Sequence, residues 1–374
     1  MFKNILLSIF SIFLILALIE FVIGPIWLKN HHDMPDKASY EFYKKYYKEL
    51  HHLREFRSWY YQNGLMFTKI SSEDVINNRS TVLINGDSWA ENLVVHAFGS
   101  GTNKIITQEL LKIEKEKNIN IVVSGTGSYS FSLTTAQLKV LRRDFNIHPD
   151  KIITMIDHTD VGDEICRYKD KIELNSDGSL NRVRPEDLYS SEVYNVRIYL
   201  TKVGNYISDD WYITKFINNR KFKKKVREKK VGSMVCGFSN IMRPVINGLD
   251  KDEYIYLEEV TLRYINEVFS DKNVKKLLLV VHPHIKHFTG EYKFYFADFL
   301  KDILPKSKFK NQITVLDFKK EFYNTYFEGD VTKNFEDVFL VEDKSSHLKI
   351  NARIPYVKKS FEKLFEWFWV ENLK

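Results

Sequence analysis

Residues 81–91 read TVLINGDSWAE, and this stretch decides how the chain is built. Thr81, Val82, Leu83 and Ile84 form a short β-branched and apolar run, the composition of a strand buried on both faces. Asn85 and Gly86 break the run. Asp87 and Ser88 follow, short polar residues of the kind that accept bonds from the first unpaired amides of a helix. Strand, glycine turn and helix start therefore succeed one another within eleven residues. In an open α/β sheet such a junction lies at the carboxyl end of a strand, where ligands bind.

The same texture repeats along the chain. Residues 119–123 (INIVV), 151–156 (KIITMI), 276–281 (KLLLVV) and 313–316 (ITVL) are short runs rich in Val, Ile and Leu. Residues 105–117 and 134–145 between them carry apolar positions at helical spacing. Strand, helix, strand, helix, strand predicts a parallel α/β sheet with crossover helices. Residues 165–250 lose the pattern and read as an insertion or lid. They include the basic block RKFKKKVREKK at 220–230, a solvated face or a contact for anionic lipid or glycan. Residues 31–80 are polar and aromatic, a helical linker leading into a short strand.

Composition sets limits. At 374 residues with 44% hydrophobic content the chain can bury a full core, which excludes a disordered or collagen-like protein. Lys plus Arg is 56 and Asp plus Glu 49, a net charge of +7 that does not call for nucleic acid. Two cysteines, Cys166 and Cys236, cannot make a disulfide framework or a four-ligand zinc site. A single bridge between them stays open. The histidine pairs at 31–32 and 51–52 lack carboxylates or cysteines at ligand spacing, so no metal is expected.

Residues 5–23, ILLSIFSIFLILALIEFVI, would span about 28 Å as a helix, close to the thickness of a bilayer's hydrocarbon core. No small-residue cleavage site follows; Trp27 marks an interface instead. The expectation is an uncleaved single-pass signal-anchor over residues 1–30, in contact with membrane lipid. The bulk of the chain then faces the extracytoplasmic side, periplasm or cell surface. The domain plan is 1–30 anchor, 31–80 linker and 81–374 catalytic domain.

Ser88 stands where its hydroxyl is exposed and its amide can stabilise an oxyanion. Late in the chain His347 precedes a final helix, in the order a serine nucleophile and its base require. His282, His284 and His287 close the fourth strand, where they read as pocket lining. Trp89, Tyr129 and His96 are further candidates for the cleft border.

TVLINGDSWAE resembles the first block of the SGNH (GDSL-type) hydrolases, a family of esterases and acyltransferases on a flavodoxin-like, three-layer α/β/α sheet. The resemblance covers residues 81–164 and roughly 276–365, and it implies Ser88 as nucleophile. It implies Gly127, with Gly125 as the alternative, as an oxyanion donor in the second block. The third block, usually Gly-x-Asn-Asp, is here Asp157, His158, Thr159 and Asp160, so Thr159 takes the place of the asparagine. The last block, Asp-x-x-His, implies His347 as base. Lys344 occupies the position three before it, so Asp343 is the acid if the turn holds one more residue.

The resulting expectation is a membrane-tethered serine esterase or O-acetyltransferase acting on O-acyl groups of a cell-surface glycan. Ser88, His347 and Asp343 would be catalytic, and the Ser88 and Gly127 amides with Thr159 would hold the oxyanion. Asp87, Trp89, His282 and His284 would line the substrate pocket. No cofactor, metal or nucleic acid is called for, and glycan-biosynthesis proteins are the expected partners. A non-catalytic glycan-binding or assembly protein on the same fold, and a lipid esterase, are the rival expectations.

Overall fold

The computed structural model describes residues 2–18, 21–23, 46, 49–50, 68–69, 79–93, 102–184, 236 and 238–325. The chain divides into two compact units, one of residues 1–45, 55–58 and 185–234, the other of residues 46–54, 59–184 and 235–374. The described part of the first unit is helix α1 (Phe2–Leu18) and a turn at 21–23. Its large apolar side chains stand exposed, Phe13 at 71% and Phe21 at 76%. No helix among the described residues is long and apolar enough to cross a membrane; α1 has 17 residues, so the span expected over 5–23 is not found as one described helix.

The second unit holds a six-stranded sheet. In chain order its elements begin with β1 (Thr68–Lys69), β2 (Thr81–Gly86), α2 (Ser88–Asn92), α3 (Thr102–Lys117), β3 (Asn120–Val123), α4 (Phe131–Phe145) and β4 (Lys151–Ile156). A hairpin of β5 (Ile172–Leu174) and β6 (Leu180–Val183) follows, then α5 (Phe238–Asn247), α6 (Lys251–Val268) and β7 (Lys276–Val281). The last described elements are α7 (Ile285–Phe288), α8 (Phe296–Ile303), β8 (Ile313–Asp317) and α9 (Phe318–Thr325).

The sheet order is β1-β3-β2-β4-β7-β8. All its pairs are parallel except β1–β3. Counted among the five parallel strands the order is 2-1-3-4-5, a flavodoxin-like winding whose switch point falls between β2 and β4. All six residues of β2 and all four of β3 are buried, and β4 and β7 expose only their leading lysines in part. Val, Ile and Leu dominate because each such side chain removed from water contributes about 1.5–3 kcal/mol. Ile84 is set between Val123 and Ile153, at the centre of one core cluster.

The stretch 165–250, expected as an insertion, contains ordered parts of this unit where it is described. β5 and β6 pair antiparallel, and Leu50 bridges to Val183. Asp250 and Glu253 close a reciprocal capping box at the start of α6, the Glu253 amide donating to Asp250 over 2.8 Å. The bridge left open by the sequence is formed: Cys166 is bonded to Cys236, 70 positions away. The basic block 220–230 lies outside the described residues.

Candidate active site

The turn after β2 is dictated residue by residue. Gly86 has φ +125°, and a Cβ there would fall 2.2 Å from the Met155 carbonyl oxygen on β4. Only glycine meets both demands. Asp87 caps α2, its Oδ1 accepting from the Trp89 amide at 2.8 Å. Ser88, the first helical residue, is left half-buried at the carboxyl end of the strand.

The loop after β3 comes to the same place. The Ser124 amide donates to Ile84 and the Thr126 amide to Gly86, at 2.8 and 3.0 Å, which lays residues 124–126 along the end of β2. The two glycines of this loop divide their tasks. A Cβ on Gly125 would collide with the backbone of Ala90 and Glu91 in α2, so Gly125 serves close packing. A Cβ on Gly127 would stand 3.2 Å from a Glu91 carboxylate oxygen and 3.9 Å from the Ser88 Cβ, so of the two glycines Gly127 is the one near the serine. Ser128 follows at φ +64°, a left-handed conformation that a residue with a side chain adopts at a cost of about 1–2 kcal/mol.

The end of β4 is the acidic side of the site. Asp157 Oδ1 accepts from both the amide and the hydroxyl of Thr159, each at 2.6 Å, and Asp160 Oδ2 accepts from the Asp157 amide at 3.0 Å. A hydroxyl has one proton to give. Thr159 commits its own to Asp157, so here it does not offer the oxyanion bond expected of the third block. Asp87, Asp157 and Asp160 bring carboxylate oxygens within 4.8 Å of one another and are the described residues whose spacing admits a cation. Carboxylates this close and this buried require protons or a cation between them. Burial, reinforced by Asp157, pushes Asp87 well above the usual carboxylate range; burial and then Asp87 do the same to Asp160. Asp163 is pushed up to about 7 by burial against the pull of Arg167. Asp163 pairs with Arg167 at 3.1 Å, and Glu164 is turned to Ser130, Ser132 and Tyr256.

The histidines after β7 are packed inside. The Trp89 and His282 rings stack with centroids 3.4 Å apart. His287 accepts the His284 amide on Nδ1 at 2.8 Å, which leaves Nε2 to donate to the Phe294 carbonyl at 2.9 Å. Both its ring nitrogens are engaged, so it is a neutral, structural histidine. His284 accepts the Lys286 amide on Nδ1 at 3.0 Å and caps α7. Burial lowers His287 to about 4 and, with neighbouring His158 adding to it, lowers His284 to about 3. Asp87, Trp89, His282 and His284, expected to line the substrate pocket, have exposures of 1%, 4%, 4% and 5%. His158, which the sequence did not single out, packs against His284 and Tyr292 with centroids 4.6 and 6.0 Å away. Its place within the third block was the one signal available.

Ser88, Asp87, Gly125, Gly127 and Thr159 are thus brought to the switch point together. His347, Asp343 and His96 lie outside the described residues, as do the histidine pairs at 31–32 and 51–52.

No family model matches the chain, and no curated protein matches it either. Among solved structures it is similar to LAE5, an alpha/beta hydrolase enzyme from the metagenome of Lake Arreo, Spain. That likeness has 12% identity and a TM-score of 0.37, over 76% of this chain and 94% of the other. It is also similar to a catalytic mutant of Axe2, an acetylxylan esterase from Geobacillus stearothermophilus. There the identity is 11% and the TM-score 0.33, over 78% of this chain and 96% of the other. Overlap at this level assigns no residue of this chain a role.

Proposed function

We propose that the α/β unit is an SGNH-type serine esterase or O-acyltransferase, tethered to a membrane and acting on O-acyl groups, chiefly O-acetyl, of a cell-surface glycan. One observation carries the reading: Gly127 and the half-buried Ser88 meet at the switch point of the sheet, with 3.9 Å between the serine Cβ and the place a glycine Cβ would take. A nucleophile at a helix start beside a glycine amide is the minimum apparatus for acyl transfer.

In this mechanism His347 takes the Ser88 proton and the serine oxygen attacks the ester carbonyl carbon. The carbonyl electrons move onto oxygen, which the Ser88 and Gly127 amides hold. Collapse expels the sugar oxygen, which receives the proton from the imidazolium. Water or a second sugar hydroxyl then takes the acyl group from Ser88 by the reverse sequence. Asp343 steers His347. The hole is drawn from amides, because the Thr159 hydroxyl is bound to Asp157.

Two further observations support the proposed location. The Cys166–Cys236 bridge suits an oxidising compartment, and the exposed apolar side chains of α1 suit lipid. The loss of a third-block donor favours a second reading, a glycan-binding protein that keeps the fold without efficient chemistry.

Labelling with a fluorophosphonate and mapping of the modified peptide separates the two. The expected result is label on Ser88 and a burst from p-nitrophenyl acetate, with Ser88→Ala lowering turnover by about 10³-fold or more. Folded protein that takes no label sinks the enzyme. Acetate release from an acetylated polysaccharide, against cleavage of longer p-nitrophenyl esters, separates glycan from lipid substrates.

A further inference from the structure

The segment Asp163–Tyr168 is a π-helical turn, the only one in the described part of the second unit, and its side chains converge on the loop that carries Gly127. The Tyr168 hydroxyl donates to the Ser128 carbonyl at 2.5 Å, and the Ser128 hydroxyl bonds Asp163. Glu164 accepts from the Ser130 hydroxyl, from the Ser132 amide at 3.1 Å and from the Ser132 hydroxyl at 2.5 Å. It also accepts from the Tyr256 hydroxyl at 2.9 Å, so its carboxylate joins the loop to α6 and caps α4. Glu164 and Tyr168 are fully buried. The winding matters: a π register brings positions five apart toward one face, whereas α-helical winding would turn Tyr168 away from Asp163. At the far side of the turn, Cys166 is bonded to Cys236.

Ser128, next to Gly127, sits at φ +64°. A non-glycine residue persists there only when its surroundings over-determine it. The surroundings in question are Tyr168 and Asp163 on Ser128 itself and Glu164 on Ser130. A shift of the Ser128 peptide would swing the adjoining Gly127 amide relative to Ser88.

We infer that the π turn is a positioning device for the oxyanion loop, with Tyr168 and Glu164 as positioning residues and the Cys166–Cys236 bridge as its anchor. The role in turnover rests on the esterase reading; the control of loop geometry does not. Tyr168 and Glu164 touch no substrate. They set where the Gly127 amide lies, so their loss lowers kcat and leaves KM alone.

The test is Tyr168→Phe, which removes one hydroxyl and keeps the packing, studied in the full chain by two readouts. Hydrogen exchange at the amides of residues 126–130 reports the loop. Kinetics with p-nitrophenyl acetate report the chemistry. The expected result is exchange at least tenfold faster at those amides, kcat down about 10- to 100-fold and KM within twofold. Glu164→Gln, which keeps an acceptor oxygen, is expected to retain more activity than Glu164→Ala. Unchanged exchange and unchanged kcat in folded Tyr168→Phe overturn the inference, as does a kcat loss that merely follows the fraction unfolded. If Tyr168→Phe does not fold, reduction of the bridge in the unmodified chain decides by the same exchange measurement, faster supporting and unchanged overturning. If the unmodified chain shows neither burst nor label while exchange still quickens in the variant, the esterase reading fails and the positioning role stands.

Discussion

The carboxyl ends of β2 and β4 lie side by side, and they are held in shape by different means. At the end of β2 the backbone dictates each residue: a positive φ and a carbonyl 2.2 Å from any Cβ at Gly86, a cap at Asp87, a helix start at Ser88. At the end of β4 the side chains hold each other: Thr159 on Asp157, the Asp157 amide on Asp160, Asp163 on Arg167, Glu164 on Ser130. Backbone demands leave a mark in sequence because few residues satisfy them. A mutual network leaves almost none, since each member is replaceable if its partner changes.

Substitutions can break this contrast in order of expected effect. Gly86→Ala violates both the φ and the steric demand, and should cost about 5 kcal/mol or more, read as loss of a cooperative urea transition. Asp163 tests the other side. Its value near 7 lies above the ordinary 3.8, so the native state holds this proton more tightly than the unfolded chain. That contribution is complete below about pH 4 and is lost as pH rises to about 7, a swing of at most about 4 kcal/mol. Asp163→Asn should flatten the fall in melting temperature between pH 4 and 7, and an unchanged slope would refute the assignment.

The bridge ranks next. Cys166→Ser opens a cross-link between positions 70 apart, expected to cost about 3 kcal/mol by urea unfolding, with reductant lowering the parent to the same level. Thr159→Val is the smallest. It should cost about 1 kcal/mol and leave kcat within about threefold, because the hydroxyl serves Asp157 rather than an oxyanion. A 100-fold fall in kcat would return Thr159 to the oxyanion hole.

Legibility followed the same division. Residues 151–156 and 276–281 read as strands and are β4 and β7, bounds included, because short, largely apolar runs rich in Val, Ile and Leu suit strands buried on both faces. The helices begin earlier than their periodicity suggested, α4 at Phe131 rather than 134. Its cap comes from Glu164, more than thirty residues onward, and no local signal announces that. The hairpin β5–β6 was absorbed into a presumed insertion, since its alternation is too short to stand out before the two strands pair. Of the site, Gly86, Asp87 and Ser88 were readable from spacing. The choice between Gly125 and Gly127 was not, because both are glycines and only packing tells that one meets Ala90 and the Glu91 backbone while the other meets the side chains of Glu91 and Ser88.

Sequence alone determined the parallel α/β class and the place of the serine. Apolar runs buried on both faces and a glycine-serine junction are local properties, and they survive without knowledge of any partner. Tertiary structure decided which glycine stands near the serine, that Thr159 is bound to Asp157, that His284 and His287 are neutral and interior, and that Cys166 meets Cys236. Each of those depends on the distances between particular groups, and proton sharing, steric exclusion and hydrogen bonding act only once folding has set those distances.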